Sequence, residues 1–200
     1  MRTVISEGDE INTLSDARAL RDGIIPGREI SALHATINFS DTPDNTALIP
    51  GDVPFDGEAT DHFIVHAVGK FTVPTTGPWG IGFNSDDGGQ LVIDGTEMIT
   101  FDGVRGRNNT MRTLVLDEGV HSLEILMFER IGGAALEVYR SRESGERGMV
   151  LNGPLPAGFD PIAIEFDNQG VVGPGPMPVI ESITRNGDTT TIRFQADAPL

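Results

Sequence analysis

The amino-acid sequence predicts an all-β protein, an antiparallel β-sandwich with one short N-terminal helix. Short apolar runs recur at intervals of about 8–12 residues and are separated by turn residues, which is typical of sandwiches. The chain has 25 glycines and 13 prolines among 200 residues, and they stand between the apolar runs rather than in one low-complexity tract. Only one segment, near the N-terminus, has helical periodicity.

That helix is predicted within residues 11–23, where apolar residues keep a spacing of three and Gly23 supplies a C-terminal cap. Asp94-Gly95 is the usual two-residue turn of a β-hairpin. Trp79 alternates with two glycines and should face the core, while the glycines leave room for another backbone or ring. The predicted strands are 31–39, 63–73, 79–83, 90–93, 96–101, 112–116, 122–128 and 134–140.

The domain organisation follows from shifts in composition. Residues 1–27 are predicted as an extension that carries the helix, and 28–160 as the sandwich. Residues 161–178 are rich in glycine and proline and are predicted as a linker. Residues 179–200 have a hairpin pattern around Asn186-Gly187 and are predicted as the start of a second, immunoglobulin- or fibronectin-like β domain, truncated at the end of the chain.

Charge and composition exclude several function classes. The formal net charge is −16, from 30 acidic and 14 basic residues, which argues against nucleic acid and anionic membranes as partners. The chain has no cysteine, which excludes disulfides, thiol catalysis and zinc fingers. No apolar run is long enough to span a membrane, and no arrangement of residues indicates a hydrolase nucleophile, so we expect no enzyme activity.

Three motifs follow one another in order along the chain. The first is Gly77–Gly95, with Ser85-Asp86-Asp87-Gly88 between two strand patterns and Ile93-Asp94-Gly95 at its end. The second is Leu116–Ile125, and the third is Phe128–Leu136. Together they resemble the PA-fourteen domain, a family named for the anthrax protective antigen. The resemblance covers residues 60–140, with weaker likeness back to about residue 28.

The resemblance implies a β-sandwich of the kind found in adhesins, glycosidases, proteases and toxins. Sugar-binding members hold Ca²⁺ between adjacent aspartates that are joined by a cis peptide, and the ion takes vicinal hydroxyls of a sugar. Asp86 and Asp87 match those positions. Carboxylates suit this role because Ca²⁺ takes about six to eight oxygen ligands. The alternative is that both aspartates only shape a turn through local hydrogen bonds.

The sequence departs from the sugar-binding members in the loop after residue 128. Those members supply an asparagine or glutamine there, whereas this chain has Glu129 and Arg130. Glu129 could bind Ca²⁺, and Arg130 could compete with the ion. The predicted metal ligands are therefore Asp86, Asp87 and Glu129. The predicted ligand-binding residues are Asp86, Asp87, Arg105, Arg107, Asn108 and Arg130.

These features predict a non-catalytic, calcium-dependent carbohydrate-binding or adhesion module of a larger extracellular or cell-envelope protein. Its partners would be glycans with vicinal diols and the neighbouring domains of the chain. Two alternatives remain: a structural or protein-interaction spacer, and an accessory domain of an enzyme outside these residues. The acidic loop 41–61 could hold a second calcium ion. The histidines are expected to pack or to form hydrogen bonds.

Overall fold

The computed structural model describes residues 1–41, 49, 52–141 and 159–165, and the backbone of the strands at 180–186 and 189–194. The chain divides into two compact units, Met1–Glu165 and Phe166–Leu200. Most of the predicted linker, the polar stretch 142–158 and the middle of the acidic loop 41–61 lie outside the described residues.

The described residues of the first unit form short strands, as predicted, with one helix and one 3-10 turn. The helix α1 spans Leu14–Arg21, and the 3-10 turn spans Asp56–Glu58. The strands are β1 Arg2–Ser6, β2 Gly27–Ser31, β3 Asn38–Ser40, β4 Phe63–Val73, β5 Gly77–Asp86, β6 Gly88–Ile93, β7 Thr96–Phe101, β8 Asn108–Leu116, β9 Gly119–Glu129, β10 Ala135–Ser141 and β11 Phe159–Pro161.

These strands form two antiparallel sheets packed face to face, which confirms the predicted fold class. The six-stranded sheet has the order β2-β1-β4-β9-β6-β7. The five-stranded sheet has the order β11-β10-β5-β8, and β3 also pairs with β10. Apolar side chains from both sheets form one core between them, and β4, β5, β9 and β10 supply most of it.

The helix α1 covers the outer face of the six-stranded sheet. Thr13 caps its N-terminus in a capping box with Asp16, and its buried residues are Leu14, Ala17 and Leu20. This apolar stripe packs on outward-facing residues of β1, β4 and β9, which explains why those strands are apolar on both faces at this end. The C-terminal cap is Asp22 rather than the predicted Gly23, which follows it with φ 73°.

The strand predicted over residues 31–39 is wrong. The structure has β2 and β3 there, separated by residues 32–37. The two strands belong to different sheets, β2 to the six-stranded sheet and β3 to the five-stranded sheet. The intervening residues therefore cross from one sheet to the other, which the alternation of apolar residues cannot reveal.

The N-terminal residues are built into the sandwich. The strand β1 lies between β2 and β4, so the predicted extension 1–27 contributes an internal strand and the first residue of β2 to the six-stranded sheet. Trp79 is 4% exposed and belongs to the core, as its alternation predicts. A Cβ atom at Gly82 would lie 2.8 Å from the Tyr139 hydroxyl, so this glycine does make room for a ring from β10.

The described part of the second unit is an antiparallel hairpin of β12, Ile180–Asn186, and β13, Thr189–Phe194. Both strands fall within residues 179–200, where the sequence predicts a hairpin. Across the described residues, no helix combines the length and the apolar character needed to cross a membrane.

Candidate metal centre

The two adjacent aspartates lie where the chain passes from one sheet to the other. Asp86 ends β5 and Gly88 begins β6, so Asp87 alone connects the two strands. The Asp86–Asp87 peptide bond is cis, as the resemblance implies. The Asp87 amide donates a hydrogen bond to the Phe128 carbonyl on β9, at 3.1 Å. A Cβ atom at Gly88 would overlap the Phe128 ring, so only glycine fits after the aspartates.

Glu129 reaches the same place from β9. Along this strand Leu123, Ile125 and Met127 face the core between the sheets. Glu129 continues that alternation, so its carboxyl group also faces inward, at the end of the strand. The residue is fully buried, with 0% of its surface exposed.

The structure therefore brings together the three predicted metal ligands. One carboxylate oxygen each from Asp86, Asp87 and Glu129 can be chosen so that all three lie within 4.8 Å of one another. Burial and then the Asp87 charge raise the pKa of Asp86 to about 6. Burial and then the charges of Asp87 and Asp86 raise the pKa of Glu129 to about 9. The cluster is thus short of positive charge.

Backbone amides hold the two aspartates in place. Both oxygens of Asp87 accept hydrogen bonds, one from the Arg105 amide at 2.7 Å and the other from the Arg130 amide at 2.9 Å. An oxygen of Asp86 accepts from the Arg107 amide at 3.1 Å. The loop between β7 and β8 and the loop after β9 therefore orient this pair of carboxylates.

Glu129 has no such support. Among the described residues, neither of its carboxyl oxygens has a hydrogen-bond partner, although the side chain is fully buried. An unpaired buried carboxyl group is costly, and a cation between the three carboxylates would satisfy it. An all-oxygen donor set of this kind suits a hard cation such as Ca²⁺. The residues present therefore fit the ion that the resemblance implies.

Four other residues are predicted to bind ligand: Arg105, Arg107, Asn108 and Arg130. The Arg105 side chain points to Ser85 and Thr110, and the Arg107 side chain donates to the Ser40 hydroxyl. The Nε atom of Arg130 is buried and has no hydrogen-bond partner among the residues that the structure describes. Asn108 is exposed, and its side-chain oxygen accepts from the Asn109 amide at 2.7 Å. Arg105, Arg107 and Arg130 thus reach the aspartates through their backbone amides.

A match to a family sequence model agrees with this geometry. A sequence model of the PA14 domain matches residues 26–148, more than half of the chain. The chain belongs to the PA14 family. A comparison with curated protein sequences finds no match.

Solved structures share this PA14 fold at low sequence identity. The PA14 domain of the antifreeze protein MpAFP has a TM-score of 0.54 and 17% identity, covering 76% of this chain and 85% of its own. A PA14 sugar-binding domain from an RTX adhesin has a TM-score of 0.52 and 16% identity, covering 82% and 97%. The epithelial adhesin 6 A domain from Candida glabrata, in complex with Galβ1-3GlcNAc, has a TM-score of 0.51 and 14% identity, covering 86% and 91%.

Two further acidic residues of this PA14 domain influence the cluster. Asp41 and Asp61, the two ends of the acidic loop, both raise the pKa of Glu129. Asp61 also accepts a hydrogen bond from the Gly132 amide, in the loop after β9, at 3.0 Å. The sequence makes this loop a candidate site for a second calcium ion. It does not predict that the two ends of the loop lie beside the first cluster, because no local sequence pattern relates them.

The histidines form hydrogen bonds, as expected. Three of them pair with a carboxylate, and the ring of His62 accepts from the Ile11 amide at 3.4 Å. The pairs are His34 with Asp56, His66 with Glu124, and His121 with Asp94, at 2.9, 2.9 and 2.6 Å. Among the described residues, the metal-binding candidate is the carboxylate cluster alone.

Proposed function

We propose that this PA14 domain is a non-catalytic module that binds Ca²⁺ through Asp86, Asp87 and Glu129 and recognises carbohydrate through that ion. The bound ion would neutralise most of the charge of the three carboxylates. It would also offer coordination positions to a neighbouring pair of hydroxyl groups. The protein's own residues bind and orient the ion, while the sugar supplies the remaining oxygens.

One observation carries the calcium part of the proposal. Glu129 is a fully buried carboxyl group whose oxygens have no hydrogen-bond partner in the described part of the chain, beside two carboxylates that backbone amides hold in place. A pair of aspartates that only shaped a turn would not require a third, unpaired acid within 4.8 Å. This favours a cation over the alternative in which the aspartates have a purely local role.

The exposure of the carboxylates supports a ligand-bearing ion. Asp87 is 2% exposed and Glu129 is fully buried, whereas Asp86 is partly exposed. The cluster therefore reaches solvent on the Asp86 side. Two exposed apolar side chains, Val104 and Ile131, belong to the loops whose amides hold Asp87. These loops would form the walls around a bound sugar.

Recognition would not depend on an aromatic platform. Trp79 and Tyr139 are the only tryptophan and tyrosine of the chain, and both are buried in the sandwich. A sugar would instead be held by the ion and by polar and apolar groups of the loops. We therefore expect weak monovalent affinity, which is useful to an adhesion module that acts in several copies.

The relatives support the same class of function and an extracellular setting. One similar structure is a sugar-binding domain of an adhesin, and another is an adhesin domain in complex with a disaccharide. We propose that this chain acts in the same way, as a part of a larger extracellular or cell-envelope protein. The MpAFP domain has the same fold within an antifreeze protein, so the glycan is to be identified by experiment.

A glycan array tests the proposal directly. The labelled protein is applied in excess Ca²⁺ and again in excess chelator. We expect binding to glycans with accessible vicinal diols in Ca²⁺ only, because the ion carries the contact.

The control for this array is a matched pair of acids elsewhere on the protein. The Asp86→Asn/Asp87→Asn variant should lose glycan binding, while Asp117→Asn/Glu118→Gln should keep it. Asp117 and Glu118 are exposed neighbours in the turn before β9, so both variants change the charge equally. Calcium binding without any glycan binding would instead indicate a structural ion and a spacer role.

A further inference from the structure

The Arg105 side chain contacts Ser85, the residue immediately before the two aspartates. Its Nε atom donates to the Ser85 carbonyl at 3.3 Å, and Nη2 donates to the Ser85 hydroxyl at 2.8 Å. Its Nη1 atom donates to the Thr110 hydroxyl on β8 at 2.9 Å. The guanidinium also lies over the Phe101 ring, 4.0 Å from its centroid. One side chain thus joins the ends of β5, β7 and β8.

Ser85 passes this contact on to the aspartates. It is fully buried and immediately precedes Asp86. Its hydroxyl accepts from Arg105 and donates in turn to the Asp87 carbonyl at 2.6 Å. The Arg105 amide meanwhile donates to the Asp87 carboxylate at 2.7 Å. Side chain and backbone of Arg105 therefore act on the same short segment, Ser85–Asp87, from two directions.

The chemistry of this contact requires arginine. A planar guanidinium can donate in several fixed directions and stack on a ring at the same time, whereas a lysine ammonium is a compact charge on a flexible stem. Burial lowers the pKa of Arg105 to about 10, so it remains charged at neutral pH. The nearby charges of Asp86 and Asp87 favour its charged form, while its side-chain donors contact Ser85 and Thr110.

We propose that Arg105 is a positioning residue of the metal centre, which fixes the main chain of Ser85–Asp87 so that both aspartates face Glu129. This inference rests on the proposed calcium binding. It gives Arg105 a role different from the direct ligand contact predicted from the sequence, because the donors of its side chain point to Ser85 and Thr110. Residues that orient metal ligands in this way commonly change metal affinity by about 10–100-fold.

The test is a double-mutant cycle on calcium affinity, measured by titration calorimetry with the full chain. The proteins are the wild type, Arg105→Lys, Ser85→Ala and the double variant. We expect each single variant to weaken calcium binding by about 10–100-fold. The double variant should be weakened by less than the product of the two effects, because both substitutions break one relay. The control is Arg112→Lys, at an exposed arginine of β8.

The outcomes separate this inference from the function on which it rests. A wild type that binds no calcium contradicts both. If Arg105→Lys and Ser85→Ala bind calcium as tightly as the wild type does, only the role of Arg105 is contradicted. A lower melting temperature in chelator with unchanged calcium affinity, or effects that multiply independently, would show a merely structural contact and also overturn it. If Arg105→Lys does not fold, Ser85→Ala alone decides, because it removes the same relay.

Discussion

Glu129 is the residue on which the interpretation of the metal centre depends. The alternation of β9 places it on the core-facing side after Leu123, Ile125 and Met127, so an acid occupies a position where an apolar side chain would normally stand. Sequence alone could therefore have predicted its burial as well as its type. Only the structure shows that its two oxygens have no hydrogen-bond partner within the described ranges.

The directions of the arginine side chains could not be predicted from the sequence. Arg105 and Arg107 belong to a loop without periodicity, so spacing does not determine where their side chains point. Their backbone amides donate to Asp87 and Asp86. Only the structure shows that the Arg105 guanidinium contacts Ser85.

The raised pKa of Glu129 predicts how the metal-free protein responds to pH. Because the folded state binds this proton more tightly than the unfolded state, the contribution to stability is full below the ordinary pKa of 4.5 and is lost as pH rises through about 9. In chelator, the free energy of unfolding should therefore decrease with rising pH. Glu129→Gln should remove the part of this decrease between about 6 and 9, above the raised pKa of Asp86.

Urea unfolding in chelator at a series of pH values measures this effect. The wild type and Glu129→Gln are compared under identical conditions, and Glu118→Gln, at an exposed glutamate, serves as the matched control. Parallel pH profiles for the wild type and Glu129→Gln would contradict the assigned burial of this carboxyl group.

At the scale of elements, local patterns predicted most strands, and long-range pairing explains the failures. The Asp94-Gly95 turn is confirmed, with positive φ at both residues, 50° and 73°. The strand predicted over 31–39 failed because residues 32–37 cross between sheets. The polar loop expected between β5 and β6 is reduced to Asp87, since both strands extend to the metal centre.

The Asp94-Gly95 turn is also held to β9 by contacts of the Asp94 carboxylate with His121 and Ser122. The Asp94 carboxylate pairs with the His121 ring at 2.6 Å and accepts from the Ser122 amide at 2.9 Å. The hydrogen bond to Asp94, and then the one to the Asp117 carbonyl, raises the pKa of His121 above 6.5. Although burial opposes it, the hydrogen bond from His121 contributes to a lowered pKa of Asp94.

This contact predicts a second dependence on pH, with a different origin. Its contribution is present below the ordinary histidine pKa of 6.5 and is lost as pH rises through the higher pKa of folded His121. We expect His121→Gln to be less stable than the wild type by about 0.2–1 kcal/mol in mildly acidic solution, as for exposed ion pairs. The difference should shrink above that pKa. A difference between the two proteins that stays constant in urea unfolding from about pH 5 to about pH 9 would contradict this origin.

At the scale of the whole molecule, the described residues after the main sandwich return to it. The sandwich is predicted from composition to end at residue 160, whereas the compact unit extends to Glu165. Ile162 is 1% exposed and lies in the core, and β11 pairs with β10. The Glu165 amide donates to the Lys70 carbonyl at 2.7 Å. No local motif in 159–165 indicates this return, because its stabilising contacts are with residues distant in sequence.

A pair of truncated proteins tests this boundary. A chain that ends at residue 165 should melt at the same temperature as the full chain, when unfolding is followed by the fluorescence of Trp79, the single tryptophan. A chain that ends at residue 158 loses β11 and Ile162. It should be less stable by at least about 2–5 kcal/mol, the usual cost of emptying the site of one large core side chain. Equal stability of the two truncated chains would place the boundary earlier.

Part of the overall charge of −16 is concentrated at one place in the fold. Five acids from distant parts of the chain converge at one end of the sandwich, and three of them form the cluster. Such a concentration of negative charge favours a divalent cation by attraction as well as by coordination. Composition alone indicated only which partners to exclude.

Thermal unfolding of the full chain in calcium and in chelator decides whether the three carboxylates bind calcium. With calcium at 100 times its dissociation constant, the wild type should gain about 2.7 kcal/mol, or roughly 5–10 °C in Tm. Asp86→Asn/Asp87→Asn should show no such shift, while Asp117→Asn/Glu118→Gln should keep it. A wild-type Tm that is the same in calcium and in chelator would show that the three carboxylates bind no calcium.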